Sequence, residues 1–311
     1  MSYSRVLVSG GAGFIGSHLV DELVKQGMSV TVLDNLSTGR LGNIRGHVEN
    51  GAVRFVEGDV RDEAVVRDAL RGADAVFHFA SITSVPLSVR FPEETFAVNV
   101  EGTRNLLEGC VASGVERFVY VSSCAVYGEP QYLPVDEGHP TNPISPYAES
   151  KLKAEQLCRS YQETRGLKIT VLRPFNVYGS RQRDDGYAGV IARFIEELRL
   201  GRPPVVYGDG FQNRDFVYVG DVVDAFVSVL SCEAAVGRVF NVGSGVSVSV
   251  NKLARMVIEV FGYDGVEPLY ANEREGDIRH SYADIKAARQ HLGFKPIISL
   301  KDGLMEIMNG R

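Results

Sequence analysis

A serine, a tyrosine and a lysine carry the first chemical signal in this sequence. Tyr147 and Lys151 stand four apart in Tyr147-Ala148-Glu149-Ser150-Lys151, a spacing that puts both side chains on one face of a helix. Ser123 closes the run Val119-Tyr120-Val121-Ser122-Ser123, whose apolar residues read as a buried strand. An unperturbed phenol titrates near pH ~10, too high for a base at neutral pH, but a neighbouring ammonium favours its phenolate. A tyrosine tuned in this way takes the proton of a substrate hydroxyl while the carbon beneath gives up hydride. A strand-end serine hydrogen-bonds the same oxygen. Ser123, Tyr147 and Lys151 are therefore the candidate catalytic residues.

Hydride needs an acceptor, and the N-terminal region offers a place for one. The apolar run Arg5–Ser9 leads into Gly10-Gly11-Ala12-Gly13-Phe14-Ile15-Gly16. Glycines at Gly10, Gly13 and Gly16 allow a tight turn, close backbone approach to a pyrophosphate, and helix-to-strand packing. A helix beginning near Phe14 aims its free amides at the phosphates. Asp34 ends the next apolar run, where a carboxylate binds the adenosine ribose diol and repels a 2′-phosphate, so NAD is expected rather than NADP. Asp59 and Val60 follow a third run and are candidates for the adenine side.

These residues need a frame. Apolar runs at Arg5–Ser9, Ser29–Leu33, Val53–Glu57, Ala75–Phe79, Arg117–Ser122 and Lys168–Arg173 alternate with helical spacing at Phe14–Gln26, Glu94–Ser113 and Tyr147–Gly166. Runs without polar alternation, separated by helices, predict an α/β fold: a Rossmann-type doubly wound parallel sheet covered on both faces. After Arg173 the pattern loosens into Gly- and Pro-rich segments, with helices predicted at Val190–Leu200 and Ser249–Phe261. The expected division is a dinucleotide domain over residues 1–175, with a returning segment at about 216–242, and a smaller mixed α/β substrate domain over residues 176–311.

A net charge of −6 leaves no basic footprint for nucleic acid. No apolar run approaches the ~18 residues needed to cross a bilayer. The N-terminus lacks the pattern of a secretory signal. Cys110, Cys124, Cys158 and Cys232 show no paired or metal-type spacing. The expectation is a cytoplasmic enzyme with reduced thiols, no metal, and no membrane or nucleic-acid partner.

Further segments fall in order along the chain: Asp34-Asn35-Leu36, Gly58-Asp59-Val60, His78-Phe79-Ala80-Ser81, Asn99-Val-Glu-Gly-Thr103 and Ser122-Ser123-Cys124-Ala125-Val126-Tyr127-Gly128. Arg173-Pro-Phe-Asn-Val-Tyr-Gly179, Arg214-Asp215-Phe216 and Arg274-Glu275-Gly276-Asp277 follow. From end to end this resembles the extended short-chain dehydrogenase/reductase superfamily, and within it the NAD-dependent nucleotide-sugar 4-epimerases of the UDP-galactose and UDP-N-acetylglucosamine type. The resemblance implies that Gly13, Phe14, Ile15, Asp34, Asn35, Ser37, Gly39, Asp59, Val60, Phe79, Ala80, Ser81, Asn99, Ser122, Tyr147 and Lys151 line the NAD site, with Gly10 and Gly16 in its turn. It implies that Ser123, Asn176, Val190, Val206, Tyr207, Arg214, Arg274, Asp277 and Ser281 hold a UDP-sugar. Arg214 and Arg274 suit a diphosphate, because guanidinium forks match phosphate oxygens. It also implies a homodimer joined through a four-helix bundle of Glu94–Ser113 and Tyr147–Gly166.

Members of this superfamily run several reactions on one scaffold, so the choice falls to the residues after Ser123. Its 4,6-dehydratases carry an Asp-Glu pair there, because removing the C6 hydroxyl needs a base and an acid. Cys124 and Ala125 stand there instead, and alanine transfers no proton. The expectation is reversible C4 epimerisation of a UDP-hexose through a transient 4-keto sugar, with tightly held NAD regenerated at each turnover. The alternatives are a dehydratase using Cys124, a UDP-glucuronate 4-epimerase, a non-catalytic NAD-binding protein, and an NADPH-dependent ketoreductase. Intact Ser123, Tyr147 and Lys151 weigh against the third, and Asp34 against the fourth. By the same resemblance, Ser281 stands where 4-epimerases wall the pocket beside the sugar's C2 group. A tyrosine there goes with glucose and galactose alone, whereas a small residue admits an N-acetyl group. UDP-GlcNAc and UDP-GalNAc are therefore expected substrates beside UDP-Glc and UDP-Gal.

Overall fold

The structure is a computed structural model that describes residues 3–182, 189–273 and 278–310. The strands β1 (Arg5–Ser9), β2 (Ser29–Asp34), β3 (Val53–Glu57), β4 (Ala75–His78), β5 (Arg117–Val121) and β6 (Lys168–Pro174) match the predicted runs to within a residue. Among them lie α1 (Phe14–Lys25), α2 (Arg45–Glu49), α3 (Glu63–Ala69), α4 (Val85–Arg90), α5 (Pro92–Phe96), α6 (Gly102–Ser113) and α7 (Pro146–Arg165). Downstream come β7 (Asn176–Tyr178), α8 (Val190–Arg199), β8 (Val205–Tyr207), β9 (Asn213–Tyr218), α9 (Val219–Ser231) and β10 (Val239–Val242). The chain continues through β11 (Ser247–Ser249), α10 (Val250–Val260), β12 (Leu269–Ala271), α11 (Lys286–Leu292) and α12 (Leu300–Asn309).

The described residues form a seven-stranded sheet in the order β3-β2-β1-β4-β5-β6-β10. Every neighbouring pair is parallel. β4 and β5 are buried throughout, which is why they read as unbroken apolar runs. On one face Leu19 and Leu23 of α1 pack with Val222, Phe226 and Val229 of α9. On the other, Leu106 and Leu107 of α6 pack with Ala154 and Cys158 of α7. Each large side chain buried in this way contributes about 1.5–3 kcal/mol. The strand order reverses between β1 and β4, so a crevice opens at the carboxyl edge of the sheet there.

Local signals set the ends of the catalytic helix. The Ser145 hydroxyl accepts from the Ala148 amide at 3.2 Å, Pro146 occupies the first turn, and Gly166 ends α7 in the left-handed conformation. The predicted helix Glu94–Ser113 is instead two helices, α5 and α6, joined by a π-helical turn over Ala97–Glu101 that carries Asn99. Such a turn widens the helix locally and is common at functional sites. Two smaller sheets, β11-β9-β7 and β12-β8, complete the described strands. Phe194 and Leu198 of α8, Leu253 and Val257 of α10, and Leu304 of α12 form the core around them. No helix among the described residues is long and apolar enough to cross a membrane.

Candidate active site

Gly10 leaves β1 at φ 73°, and a side chain there would run into the Ala80 amide 2.7 Å away. A Cβ on Gly16 would strike the Gly10 carbonyl. The turn is a backbone cradle that a side chain would fill. Gly13 caps α1 without a side-chain acceptor, which leaves the first amides from Phe14 and Ile15 onward free for an anion. Asp34 is buried at the end of β2, where its carboxylate accepts from the amides of Ala12 (3.0 Å) and Leu36 (2.9 Å). Gly39 lets the chain close over it, since a Cβ there would come within 2.8 Å of Oδ1. Burial raises the Asp34 pKa above the ordinary carboxylate value, with the two amides opposing. Lone pairs remain for a ribose diol.

The remaining cofactor candidates continue along the same edge. Asn35 donates to Asp59 Oδ2 at 2.9 Å and accepts from the Ser37 amide at 3.1 Å. Arg61 hydrogen-bonds Asp59 and holds its carboxyl down to about 2. Val60 is buried beside them. The Phe79 and Ala80 amides both donate to the Ser9 carbonyl, and the Ser81 hydroxyl donates to the Phe79 carbonyl. Asn99 is fully buried and spends its side chain on the structure. It accepts from the Ile82 amide (2.7 Å) and donates to the Ile82 carbonyl (3.0 Å) and to Ser150 Oγ (2.9 Å). Asn99 thus ties the loop after β4 to α7.

The catalytic candidates meet at the end of β5. Ser123 Oγ accepts from the Ala125 amide at 3.1 Å and hydrogen-bonds the Tyr147 phenol. Burial pushes that phenol up to about 12, against the Ser123 hydrogen bond. Lys151 Nζ donates to the Val121 carbonyl at 2.8 Å, and burial lowers the ammonium to about 7 against the charge of Glu155. The four-residue spacing alone predicts an ammonium-stabilised phenolate. In the folded chain burial outweighs that effect, and the phenol is protonated at neutral pH. Ser122 gives its hydroxyl to Glu155, so that side chain is turned toward α7.

Asn176, Val190, Tyr207 and Arg214 come together around a cavity of about 180 Å³, with Arg193, Val205, Gln212 and Val250 completing its wall. Val206 is not on that wall. Alternation along β8 turns its side chain into the core with Phe194 and Leu253, and puts Val205 and Tyr207 on the cavity side. Sequence reasoning missed Arg193 and Gln212. Arg193 lies over the Tyr207 ring at 5.8 Å, and Gln212 Nε2 donates to the Tyr207 carbonyl at 2.7 Å. The position of Arg193, one helical turn after Val190, was the available signal.

Burial pushes the Cys124 thiol up to about 12, and the nearby Arg214 opposes it only in part. That proximity joins the cavity to the catalytic set. Ser281 is buried beside β9, its amide donating to the Asn213 carbonyl at 3.1 Å. Asp215 binds that segment to β9: its carboxylate accepts from the amides of Ser244 (2.7 Å), Gly245 (2.9 Å) and Ala283 (3.1 Å). Arg274 and Asp277 lie outside the described residues.

A profile of the NAD dependent epimerase/dehydratase family matches residues 6–243. The chain belongs to that family. Its relatives include a putative UDP-glucose 4-epimerase of Methanocaldococcus jannaschii, 42% identical over 306 residues that cover 98% of this chain and 97% of the relative. Among solved structures, the UDP-glucose 4-epimerase of Thermotoga maritima with UDP-glucose superposes with a TM-score of 0.93 at 39% identity, covering 98% and 97% of the two chains. The UDP-N-acetylglucosamine 4-epimerase of Methanobrevibacter ruminantium, in complex with UDP-N-acetylmuramic acid, gives 0.94 at 36% identity over 99% and 98%. The Rossmann-type sheet and the second, smaller sheet region are common to the family's epimerases.

Proposed function

We propose that this protein is an NAD-dependent UDP-sugar 4-epimerase that interconverts UDP-Glc with UDP-Gal and UDP-GlcNAc with UDP-GalNAc. One observation carries the reading: a hydride-transfer set stands without an elimination acid beside it. Tyr147 meets Ser123, and Lys151 grips the strand just before it. Ala125 has no proton to give, and the Cys124 thiol sits at about 12, far from the pKa of a useful acid at neutral pH. The epimerase names of relatives that span nearly the whole chain support it.

In this reading the Gly10–Gly16 cradle and the α1 N-terminus take the dinucleotide's pyrophosphate, Asp34 the adenosine ribose, and Asp59 with Val60 the adenine side. When bound, NAD supplies a hydride acceptor that returns the same hydride. The chain's own residues do the rest. Arg214, Asn176, Val190 and Tyr207 hold the UDP end in their cavity. Ser123 hydrogen-bonds the sugar's O4 while Tyr147 takes its proton, and Lys151 offsets the charge that develops on the phenol. The planar 4-keto sugar then presents its other face, and Tyr147 returns the proton to O4. Nothing leaves the sugar, so substrate and product have the same mass.

Residues 1–175, with a segment at about 216–242 that brings β10 back to the main sheet, form the cofactor domain, and residues 176–311 the nucleotide-sugar domain. The exposed Val111 on α6 suits a homodimer in which the Glu94–Ser113 stretch and α7 of each protomer form a four-helix bundle. Unpaired thiols suit the cytoplasm. The test is incubation of the purified protein with UDP-Glc, UDP-GlcNAc and UDP-GlcA separately, with chromatography and mass analysis of products. Epimers of the first two, at unchanged mass, are expected. A product lighter by one water, or turnover of UDP-GlcA alone, refutes the reading.

A further inference from the structure

One helix grips one strand end at three points. α7 presents Tyr147, Lys151 and Glu155 at successive four-residue steps, so all three share a face. Tyr147 reaches Ser123, Lys151 donates to the Val121 carbonyl, and Glu155 accepts from the Ser122 hydroxyl. Glu155 is itself locked. Arg173 of β6 donates Nε to Oε1 at 2.9 Å and Nη2 to Oε2 at 2.6 Å, and both side chains are less than a tenth exposed. The Arg173 guanidinium lies over the Tyr127 ring at 4.8 Å, and the Tyr127 hydroxyl donates to Asn241 of β10 at 2.7 Å. Taking two charges out of water costs about as much as their attraction returns. Stability alone is therefore a weak reason for a buried fork at this place.

We propose that Glu155 is a positioning residue of the catalytic set: it registers α7 on the end of β5 through Ser122 and supplies the anion that keeps Lys151 charged. The epimerase reading enters only in saying which reaction is positioned. Among the described residues, the titratable groups facing Lys151 are few. Tyr147, Glu155 and Cys158 come from α7, Tyr120 from β5 with its ring 5.2 Å from Nζ, and His78 from β4. Burial drives His78 down to about 3 and pushes Tyr120 and Cys158 far up, so all three are neutral. The Arg173 charge is turned onto Glu155. Glu155 is left to sustain the ammonium against burial.

The experiment titrates Lys151 directly, by NMR of protein labelled with carbon-13 at the lysine ε-carbon, with Lys151→Met identifying the resonance. Glu155→Gln keeps an acceptor for Ser122 and removes the charge. The Lys151 midpoint is expected to fall by about 1 pH unit, and the alkaline limb of kcat with UDP-Gal to move down with it. Arg173→Gln breaks the same ion pair but keeps the Glu155 side chain one turn from Lys151, so there the midpoint is expected to hold or rise. A midpoint unmoved in Glu155→Gln, or lowered alike in both variants, overturns the proposal. Should Glu155→Gln not fold, Glu155→Asp replaces it, keeping the charge and shortening the reach. A lower kcat at an unchanged lysine midpoint is then expected, and an unchanged kcat or a shifted midpoint overturns the idea. The NMR titration needs no turnover, so a wild-type protein inactive on UDP-sugars would refute the epimerase reading and leave the titration result standing.

Discussion

Replacing Lys151 by methionine removes one charge and the hydrogen bond to the Val121 carbonyl, while methionine keeps the long apolar stem. Burial, opposed by the Ser123 hydrogen bond, pushes the Tyr147 phenol up to about 12. Working as a base near neutral pH, it needs a shift of about 5 pH units, or about 7 kcal/mol. A cation one helical turn away, taken at ~5 Å with an effective dielectric constant of ~20, supplies about 3 kcal/mol. That is a little over 2 pH units, and the positive charge of the bound cofactor must provide the remainder. In Lys151→Met the phenol midpoint is therefore expected to rise by about 2 pH units.

The sign follows directly. Activity needs the phenolate, which predominates above the midpoint, so raising the midpoint moves the onset of activity to higher pH. At neutral pH, kcat is expected to fall about 100-fold, then to recover about tenfold per pH unit until the new midpoint is reached. In the wild type the lysine value, lowered to about 7, means that the ammonium is lost as pH rises through it. The wild-type profile should accordingly bend over on the alkaline side, and the variant should lack that bend. The assay is steady-state UDP-Gal turnover across the pH range, with bound NAD measured on the same samples so that cofactor loss is separated from chemistry. A uniform drop that keeps the wild-type profile would refute the electrostatic argument and leave Lys151 a purely positional role.

Three further variants test the rest of the site. Ser281→Tyr fills a buried small position beside β9; N-acetyl sugar turnover is expected to fall at least ~10-fold relative to UDP-Gal turnover, and equal losses on both substrates would remove Ser281 from sugar selection. Cys124→Ser should leave kcat within about twofold, because a thiol held at about 12 donates no proton near neutral pH. Loss of most activity there would restore the dehydratase-type role for this residue. Arg214→Gln, in the wall of the cavity, should raise KM by about 10–100-fold through loss of a charge-assisted hydrogen bond of ~1.5–3 kcal/mol. Binding of UDP itself, measured by calorimetry, should weaken in step; unchanged UDP affinity would show that Arg214 does not meet the diphosphate.

What could be read in the sequence follows from the range of the interactions involved. β1, β4 and β5 are legible because a parallel strand buried on both faces needs an unbroken apolar run. The glycine turn and Tyr147-x-x-x-Lys151 are legible because their geometry is set within a few residues. β11 is different: Ser247–Ser249 is a strand only because Asn213–Asp215 lies opposite it. The π turn at Asn99 vanishes into the helical periodicity on either side. At β8 an error of one residue is enough to exchange core for cavity, which is how Val205 and not Val206 comes to face the ligand space. The proton chemistry shows the same limit. Spacing puts an ammonium beside a phenol, but burial, which no local pattern reports, pushes both toward their neutral forms. Glu155 shows where the boundary lies. Its place one turn beyond Lys151 is plain in the sequence, yet its meaning depends on Arg173 reaching across from β6 to fix it. Without that fork the carboxylate would have no fixed direction onto the Ser122 hydroxyl, and α7 would lose one of its three holds on the end of β5.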